Sequence, residues 1–204
     1  MRPTGCLSPN PFAMTHLPVQ HSAIFVDRDG VVIHNRENYV RTLRQVKIYP
    51  RAVQALAIAA KAGFKIVMVT NQAGVGKGLY SIDAVNEINQ SIRQVVEQAG
   101  GRIDGIYVCP HRTDENCACR KPKPGLLQFA AHDLEIDLKR SFMVGDALTD
   151  LQAGQQAGVR QALLVLTGRG LEQRKLALSA PDIQPLIVRR SLFEAVQHIL
   201  ALSG

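Results

Sequence analysis

Short, continuous apolar runs alternate with segments of helical periodicity along most of this chain. Strands that are apolar at consecutive positions are buried on both faces, and helices between them indicate a parallel sheet with helices on each side. The predicted fold class is therefore α/β, a three-layer, Rossmann-like parallel sheet. The runs of strand length are AIFV (23–26), FKIVMVT (64–70), GIYVC (105–109), SFMVG (141–145) and QALLVL (161–166).

The segments between these runs predict the helices. Ser81 is expected to cap a long helix that ends at Gly100, with Asp83 in its first turn, and Pro124 is expected in the first turn of another. The buried stripe of the long helix is predicted to be Ile82, Val85, Ile88, Ile92, Val95, Val96 and Ala99. The other predicted elements are helices over 51–62, 124–133, 148–157 and 191–202, and a short strand near 183–188.

Length and composition predict one domain over residues 21–204, preceded by a flexible extension over 1–20. The extension contains five Pro or Gly residues and no apolar core of signal-peptide length. No run approaches the ~20 apolar residues that a membrane span needs. We therefore expect a cytoplasmic protein.

The net charge of +7 raises the possibility of nucleic-acid binding. The cations are scattered, however, and aromatic residues make up only 5% of the chain, so few side chains could stack on bases. An anionic small substrate explains the basic excess equally well. Nucleic acid is not the expected partner, and we expect a monomer.

Pairs of aspartates follow two of the predicted strands. Asp27 and Asp29 come at the end of the first strand, and Asp146 and Asp150 follow the fourth. Asp and Gly are also ordinary turn residues, so each pair could simply form a turn. Because ligands bind beyond the carboxyl ends of parallel strands, and because oxygen ligands suit Mg²⁺, a magnesium site is the functional alternative.

Three of the four cysteines lie near one histidine, in the pattern C-x-H-x5-C-x-C. Three thiolates and one imidazole would make a closed, structural zinc site of Cys109, His111, Cys117 and Cys119. A redox site is less favoured because no C-x-x-C pair occurs. A zinc-stapled nucleic-acid-binding module remains an alternative of another functional class, and Cys6 has no evident partner.

Four motifs together resemble those of the haloacid-dehalogenase-like phosphohydrolases: DxDG from Asp27, Thr70, Lys121, and GDxxxD containing Asp146. The resemblance implies that Asp27 attacks phosphorus and forms an aspartyl-phosphate. It implies that Asp29 acts as general acid and base, and that Thr70 and Lys121 contact the phosphoryl group. It also implies catalytic Mg²⁺ held by the Asp27 carboxylate, the Asp29 backbone carbonyl and Asp146.

The same resemblance assigns the residues around these motifs. Lys123 is expected at the surface and Arg28 is expected to point away from the site. Asp150 is expected to anchor the metal site, and the alternative is that it is only a residue of the following helix. The glycines of residues 74–78, apart from the resemblance, are expected to form a flexible turn before the next helix. The substrate contacts are expected to be Arg36, Glu37, Asn38, Tyr39, Asn71, Gln72 and Arg120.

The intervals between the motifs leave no room for a large cap domain. Loop 33–49 and the loop of the four predicted zinc ligands (109–119, the zinc loop) should therefore shape the pocket. The stretches NRENYV (35–40), VTNQAGVGKG (69–78) and CPH…CACRKPKPG (109–125) resemble those of capless members that act on the 7-phosphate of heptose 1,7-bisphosphate or, as the alternative, on histidinol phosphate. A 3′-phosphatase acting on nucleic-acid ends is a further alternative. Ala147 stands where several of these members have a lysine, which weakens the expected grip on a second phosphate.

Overall fold

The computed structural model describes residues 20–183 and 185–203, and its strands form one parallel sheet. The strands are β1 (Ala23–Val26), β2 (Lys65–Asn71), β3 (Gly105–Cys109), β4 (Phe142–Gly145), β5 (Gln161–Val165) and β6 (Ile187–Arg189). Their order in the six-stranded sheet is β3-β2-β1-β4-β5-β6. The predicted flexible extension lies outside the described residues, except for Gln20.

Helices cover both faces of the sheet, as predicted. They are α1 (Pro50–Lys61), α2 (Ala73–Gly76), α3 (Ile82–Gln98), α4 (Gly125–Asp133), α5 (Leu148–Ala157), α6 (Gly170–Ser179) and α7 (Leu192–Ser203). Alternate residues of β1 point to opposite faces: Ile24 and Val26 pack with α1, α3 and α7, whereas Ala23 and Phe25 pack with α4 and α5. The three-layer α/β prediction is confirmed.

Several local predictions need correction. Helix α6 was not predicted, and β6 lies later in the chain than expected. Pro124 is the N-cap of α4 and not a residue of its first turn. The expected turn at 74–78 contains the short helix α2.

The predicted cap of α3 is confirmed, since Ser81 Oγ accepts a hydrogen bond from the backbone N–H of Ala84 at 3.1 Å. Its predicted stripe is wrong at the ends, where Ile82, Val95 and Ala99 are exposed. In the middle of the helix the polar residue Asn89 is buried beside the apolar stripe. The apolar stripe thus reaches the core only over the middle of the helix.

The order of the strands determines where loops can converge. Chain connections run outward in opposite directions from β1 and β4, so the crevice between these two neighbours is the topological switch point, where ligands bind in such sheets. Asp27 follows β1 and Asp146 follows β4. Among the described residues, no helix is both apolar enough and long enough to cross a membrane.

Candidate active site

A cavity of about 810 Å³ opens at the carboxyl ends of the central strands. It is polar, and residues from five loops contribute to its wall. Its charged lining residues are Asp27, Asp29, Arg36, Glu37, Arg120, Lys121, Asp150, Arg169 and Glu172.

Lys121 is buried in the cavity wall and is held from several directions. Its Nζ lies 2.6 Å from Asp27 Oδ1, 2.6 Å from Asp150 Oδ1 and 2.9 Å from the Val69 carbonyl oxygen. Its backbone N–H donates to Asn71 Oδ1, and its carbonyl accepts from Asn71 Nδ2, both at 3.1 Å. Burial lowers the pKa of Lys121, but the two carboxylates outweigh this and raise it, so the ammonium stays charged.

Asp150 therefore does more than the anchoring role expected of it. One carboxylate oxygen pairs with Lys121, and the other accepts the backbone N–H of Ala147 at 3.0 Å, at the start of α5. Lys123, in contrast, donates to the side chain and carbonyl of Asn116 outside the cavity. Of the two lysines in the third motif, only Lys121 faces the carboxylates.

Three buried carboxylates are close enough to share a cation. One oxygen from each of Asp27, Asp146 and Asp150 lies within 4.8 Å of the others. Asp146 Oδ1 is buried without a hydrogen-bond partner, although Asp146 Oδ2 accepts the backbone N–H of Arg169 at 2.8 Å. Burial raises the pKa of Asp27 to about 8 and that of Asp146 to about 6, and neighbouring carboxylates contribute to both shifts. A buried carboxylate oxygen that accepts no hydrogen bond, close to two other carboxylates, fits Mg²⁺.

Without metal, these raised pKa values make stability fall as pH rises. The folded protein holds protons on Asp27 and Asp146 at pH values above 3.8, the ordinary pKa of aspartate, where the unfolded chain has lost them, so stability declines up to about pH 8. We expect Mg²⁺ to raise the melting temperature more at pH 8 than at pH 5. Thermal melts with and without Mg²⁺ at the two pH values test this. Equal shifts at both would contradict it.

Two glycines pack directly against the Asp146 carboxylate. Gly30 has φ +90° and Gly168 has φ +58°, a region that other residues rarely adopt. A Cβ at either position would overlap Asp146 Oδ2, and a Cβ at Gly168 would also overlap the Gly30 Cα. The backbone of two loops thus fixes the position of this carboxylate.

The Asp29 side chain lies to one side of the three-carboxylate cluster. It accepts from Arg28 Nε at 3.1 Å and from Gln72 Nε2 at 2.8 Å. Arg28 is fully buried, donates to Asn89 Oδ1 at 3.1 Å and does not line the cavity, as expected, although it contacts the site through the Asp29 carboxylate. The same Gln72 Nε2 donates to Thr70 Oγ1 at 2.8 Å.

Most of the predicted substrate contacts line the cavity. Asn38 does not, and its carbonyl accepts from Arg41 Nε at 2.8 Å instead. Sequence reasoning missed Arg169, whose guanidinium lies 3.6 Å from Asp146 Oδ1 and is half exposed. The predicted contacts that line the cavity are Arg36, Glu37, Tyr39, Asn71, Gln72 and Arg120.

The Cys/His cluster has the dimensions of a tetrahedral metal site. Four of the six separations between the ligand atoms run from 3.3 to 3.6 Å, and all six are within 4.8 Å. Ligands about 2.3 Å from a central zinc ion would stand just under 4 Å apart. Burial raises the pKa of Cys109 to about 12, a cost to the thiolate that a cation would offset. The cluster can hold zinc, and its members are Cys109, His111, Cys117 and Cys119.

The zinc loop is connected to the cavity through Arg120. This residue follows the last cluster cysteine, and its Nη1 donates to the His111 carbonyl at 3.3 Å. Lys121, the next residue, is held separately by Asn71 and the buried carboxylates. The loop therefore positions Arg120 more directly than Lys121.

The family model described as HAD-hydrolase-like matches residues 118–195. A relative from Pseudomonas putida is 37% identical over 159 residues, which cover 78% of this chain and 89% of that protein. The chain belongs to the haloacid-dehalogenase-like hydrolase family. A relative from Bordetella bronchiseptica is 40% identical over 147 residues and covers 72% of this chain and 82% of its own. Both are named D-glycero-β-D-manno-heptose-1,7-bisphosphate 7-phosphatase.

Solved structures of the haloacid-dehalogenase-like family agree. The crystal structure of D,D-heptose 1,7-bisphosphate phosphatase from B. bronchiseptica, complexed with magnesium and phosphate, has a TM-score of 0.82 and 34% identity. It covers 89% of this chain and 99% of its own. The resemblance inferred from the four motifs is confirmed.

Proposed function

We propose that this protein is a Mg²⁺-dependent phosphomonoesterase that removes the 7-phosphate of D-glycero-D-manno-heptose 1,7-bisphosphate. The observation that carries the proposal is the convergence of Asp27, Asp146 and Lys121 at the switch point of a sheet. The curated relatives, which are named for this reaction with the β anomer, support the choice of substrate.

The proposed chemistry has two steps. Asp27 attacks phosphorus, and the alkoxide leaves with a proton from Asp29; then Asp29 takes a proton from water, which attacks the aspartyl-phosphate. Lys121 balances charge at Asp27 and on the phosphoryl oxygens. The Thr70 hydroxyl donates a hydrogen bond to one of those oxygens.

Asp27, the Asp29 backbone carbonyl and Asp146 would hold the metal ion. When bound, Mg²⁺ reduces the repulsion between an anionic nucleophile and an anionic phosphate. Asp146 Oδ1, which is buried and accepts no hydrogen bond, supports this assignment. The zinc cluster has four protein ligands and no open position, which supports a structural role.

A bisphosphate substrate needs a second cationic contact away from Asp27. Ala147, which stands where several relatives have lysine, is buried at the start of α5 and supplies none. Apart from Lys121, which contacts Asp27, the cationic side chains in the cavity wall are Arg36, Arg120 and Arg169. These arginines support recognition of the second phosphate without a lysine at position 147. We also propose that the protein acts as a monomeric, single-domain, cytoplasmic enzyme.

A panel of phosphate esters tests the substrate. With Mg²⁺ present, we expect heptose 1,7-bisphosphate to have a kcat/KM at least about 10-fold above fructose 1,6-bisphosphate, since an extra matched polar contact gives about 1.4 kcal/mol. The panel holds both heptose anomers, histidinol phosphate and a 3′-phosphorylated oligonucleotide. Preference for histidinol phosphate or the oligonucleotide would replace the proposed substrate. Salt-sensitive oligonucleotide binding without phosphate release would favour a nucleic-acid-binding module instead.

A further inference from the structure

We propose that the Tyr80 hydroxyl is a positioning group: it donates a hydrogen bond to the Gln72 side-chain oxygen and so orients the Gln72 amide to donate to Asp29 and Thr70. Tyr80 Oη lies 2.9 Å from Gln72 Oε1, and Gln72 Nε2 lies 2.8 Å from both Asp29 Oδ2 and Thr70 Oγ1. The inference rests on the proposed phosphatase function, in which Asp29 and Thr70 act on the phosphoryl group.

The orientation of the Gln72 amide follows from its neighbours. Asp29 Oδ2 already accepts a hydrogen bond from Arg28 Nε at 3.1 Å, so the NH₂ end of the Gln72 amide, which only donates, faces it. The amide oxygen then faces Tyr80, whose hydroxyl must donate. In the reverse orientation the amide oxygen would face the carboxylate, and the two acceptors would repel each other. Gln72 is buried, so water cannot easily replace a lost partner.

Tyr80 is well placed to be a permanent donor. Burial raises its pKa to about 12, although nearby Arg28 opposes the shift, so the phenol keeps its proton at neutral pH. The ring packs closely on Gly74, where a Cβ would overlap it. Close packing against the backbone of α2 holds the hydroxyl at Gln72.

The orientation of the Gln72 amide affects the phosphoryl group through Thr70. One amide proton of Gln72 goes to Asp29 and the other to Thr70 Oγ1. Because Thr70 Oγ1 accepts this bond, its own hydroxyl proton is left free to donate. A phosphoryl oxygen of the substrate, which carries negative charge throughout the reaction, is then the acceptor for the Thr70 hydroxyl.

Tyr80→Phe tests the inference because it removes only the hydroxyl. We expect kcat on the preferred sugar phosphate to fall about tenfold with KM changed less than about twofold, since the lost contact acts mainly in the transition state. Tyr107→Phe is the matched control. Tyr107 donates to Asp133 at the surface with a 3.1 Å bond and has a similarly raised pKa of about 12, but it does not line the cavity. We expect its kcat to match the wild type.

A double-mutant cycle separates positioning from general stability. Because Tyr80 acts through Gln72, Tyr80→Phe should lower kcat no further in a Gln72→Met background. Additive losses, or an unchanged kcat in Tyr80→Phe with an unchanged melting temperature, would overturn the inference. A loss that follows the melting temperature alone would also overturn it.

A measurement without substrate distinguishes this inference from the proposed function. The Gln72 side-chain amide protons, assigned by their absence in Gln72→Met, should exchange with D₂O faster in Tyr80→Phe than in the wild type. If the wild type released no phosphate, the proposed function would fail, while faster exchange would still support the orientation of Gln72. Equal exchange rates would overturn the orientation itself.

Discussion

The Asp27→Asn variant is expected to fold normally and to release phosphate at least about 10⁴-fold more slowly than the wild type, because losses of this size follow removal of an enzyme's nucleophile. Asparagine has nearly the same shape as aspartate, and Lys121 keeps its contacts with Asp150 and the Val69 carbonyl. The neutral amide also relieves crowding among buried acids. The melting temperature without Mg²⁺ should therefore stay the same or rise.

Phosphate release and thermal melting are measured on the same preparations. Asp133→Asn makes the same chemical change at an exposed position outside the cavity, and it should leave turnover unaltered. Turnover near the wild-type rate in a folded Asp27→Asn protein would remove Asp27 from the role of nucleophile.

Loss of the zinc ion should mainly lower the stability of the protein and, to a smaller extent, its affinity for substrate. Cys119→Ser, or a strong chelator, is expected to lower the melting temperature by about 10 °C, since loss of a structural ligand costs several kcal/mol and each kcal/mol corresponds to about 2–4 °C at this chain length. Because the loop holds Arg120 whereas Asn71 holds Lys121, KM should rise more than kcat falls.

Melting curves, zinc content and steady-state kinetics test this together. Cys6→Ser removes the one thiol outside the C-x-H-x5-C-x-C pattern, and it should keep the zinc and the melting temperature of the wild type. If zinc removal abolished kcat while the melting temperature stayed constant, the zinc would act in the chemistry and not in the loop's structure.

The sequence allowed the central part of the site to be predicted because each part of it is local. Apolar residues run directly into Asp27 and into Asp146, and the end of a buried parallel strand fixes where the next side chain lies. The cluster spacing and the lysine after Arg120 are equally local. The family resemblance then supplied an order for motifs that are weak one at a time.

Contacts between distant parts of the chain could not be predicted. Arg28 is charged and sits between two aspartates, so nothing nearby indicates that it is buried. Its partner Asn89 lies 61 residues away on α3, where a polar residue interrupts an apolar stripe. A buried Arg–Asn pair is visible only once the helix is packed on the sheet.

Helix α6 was missed because its sequence lacks an apolar stripe. Leu171, Leu176 and Leu178 are all exposed, and among the described residues of the helix mainly Gly170 and Ala177 are buried. The loop before it carries Arg169 into the cavity without any motif of its own. When the buried residues of a helix are as small as glycine and alanine, the sequence shows no apolar stripe from which the helix could be predicted.

The crowding of Gly30 and Gly168 against Asp146 has a consequence for mutational studies of this enzyme. A survey that replaces charged and polar residues would pass over both positions, because neither carries a functional group. Yet adding one methyl group at either would push the Asp146 carboxylate aside or part the two loops. Gly30 and Gly168, which have no side chain, are therefore expected to tolerate substitution less than other residues of the active site.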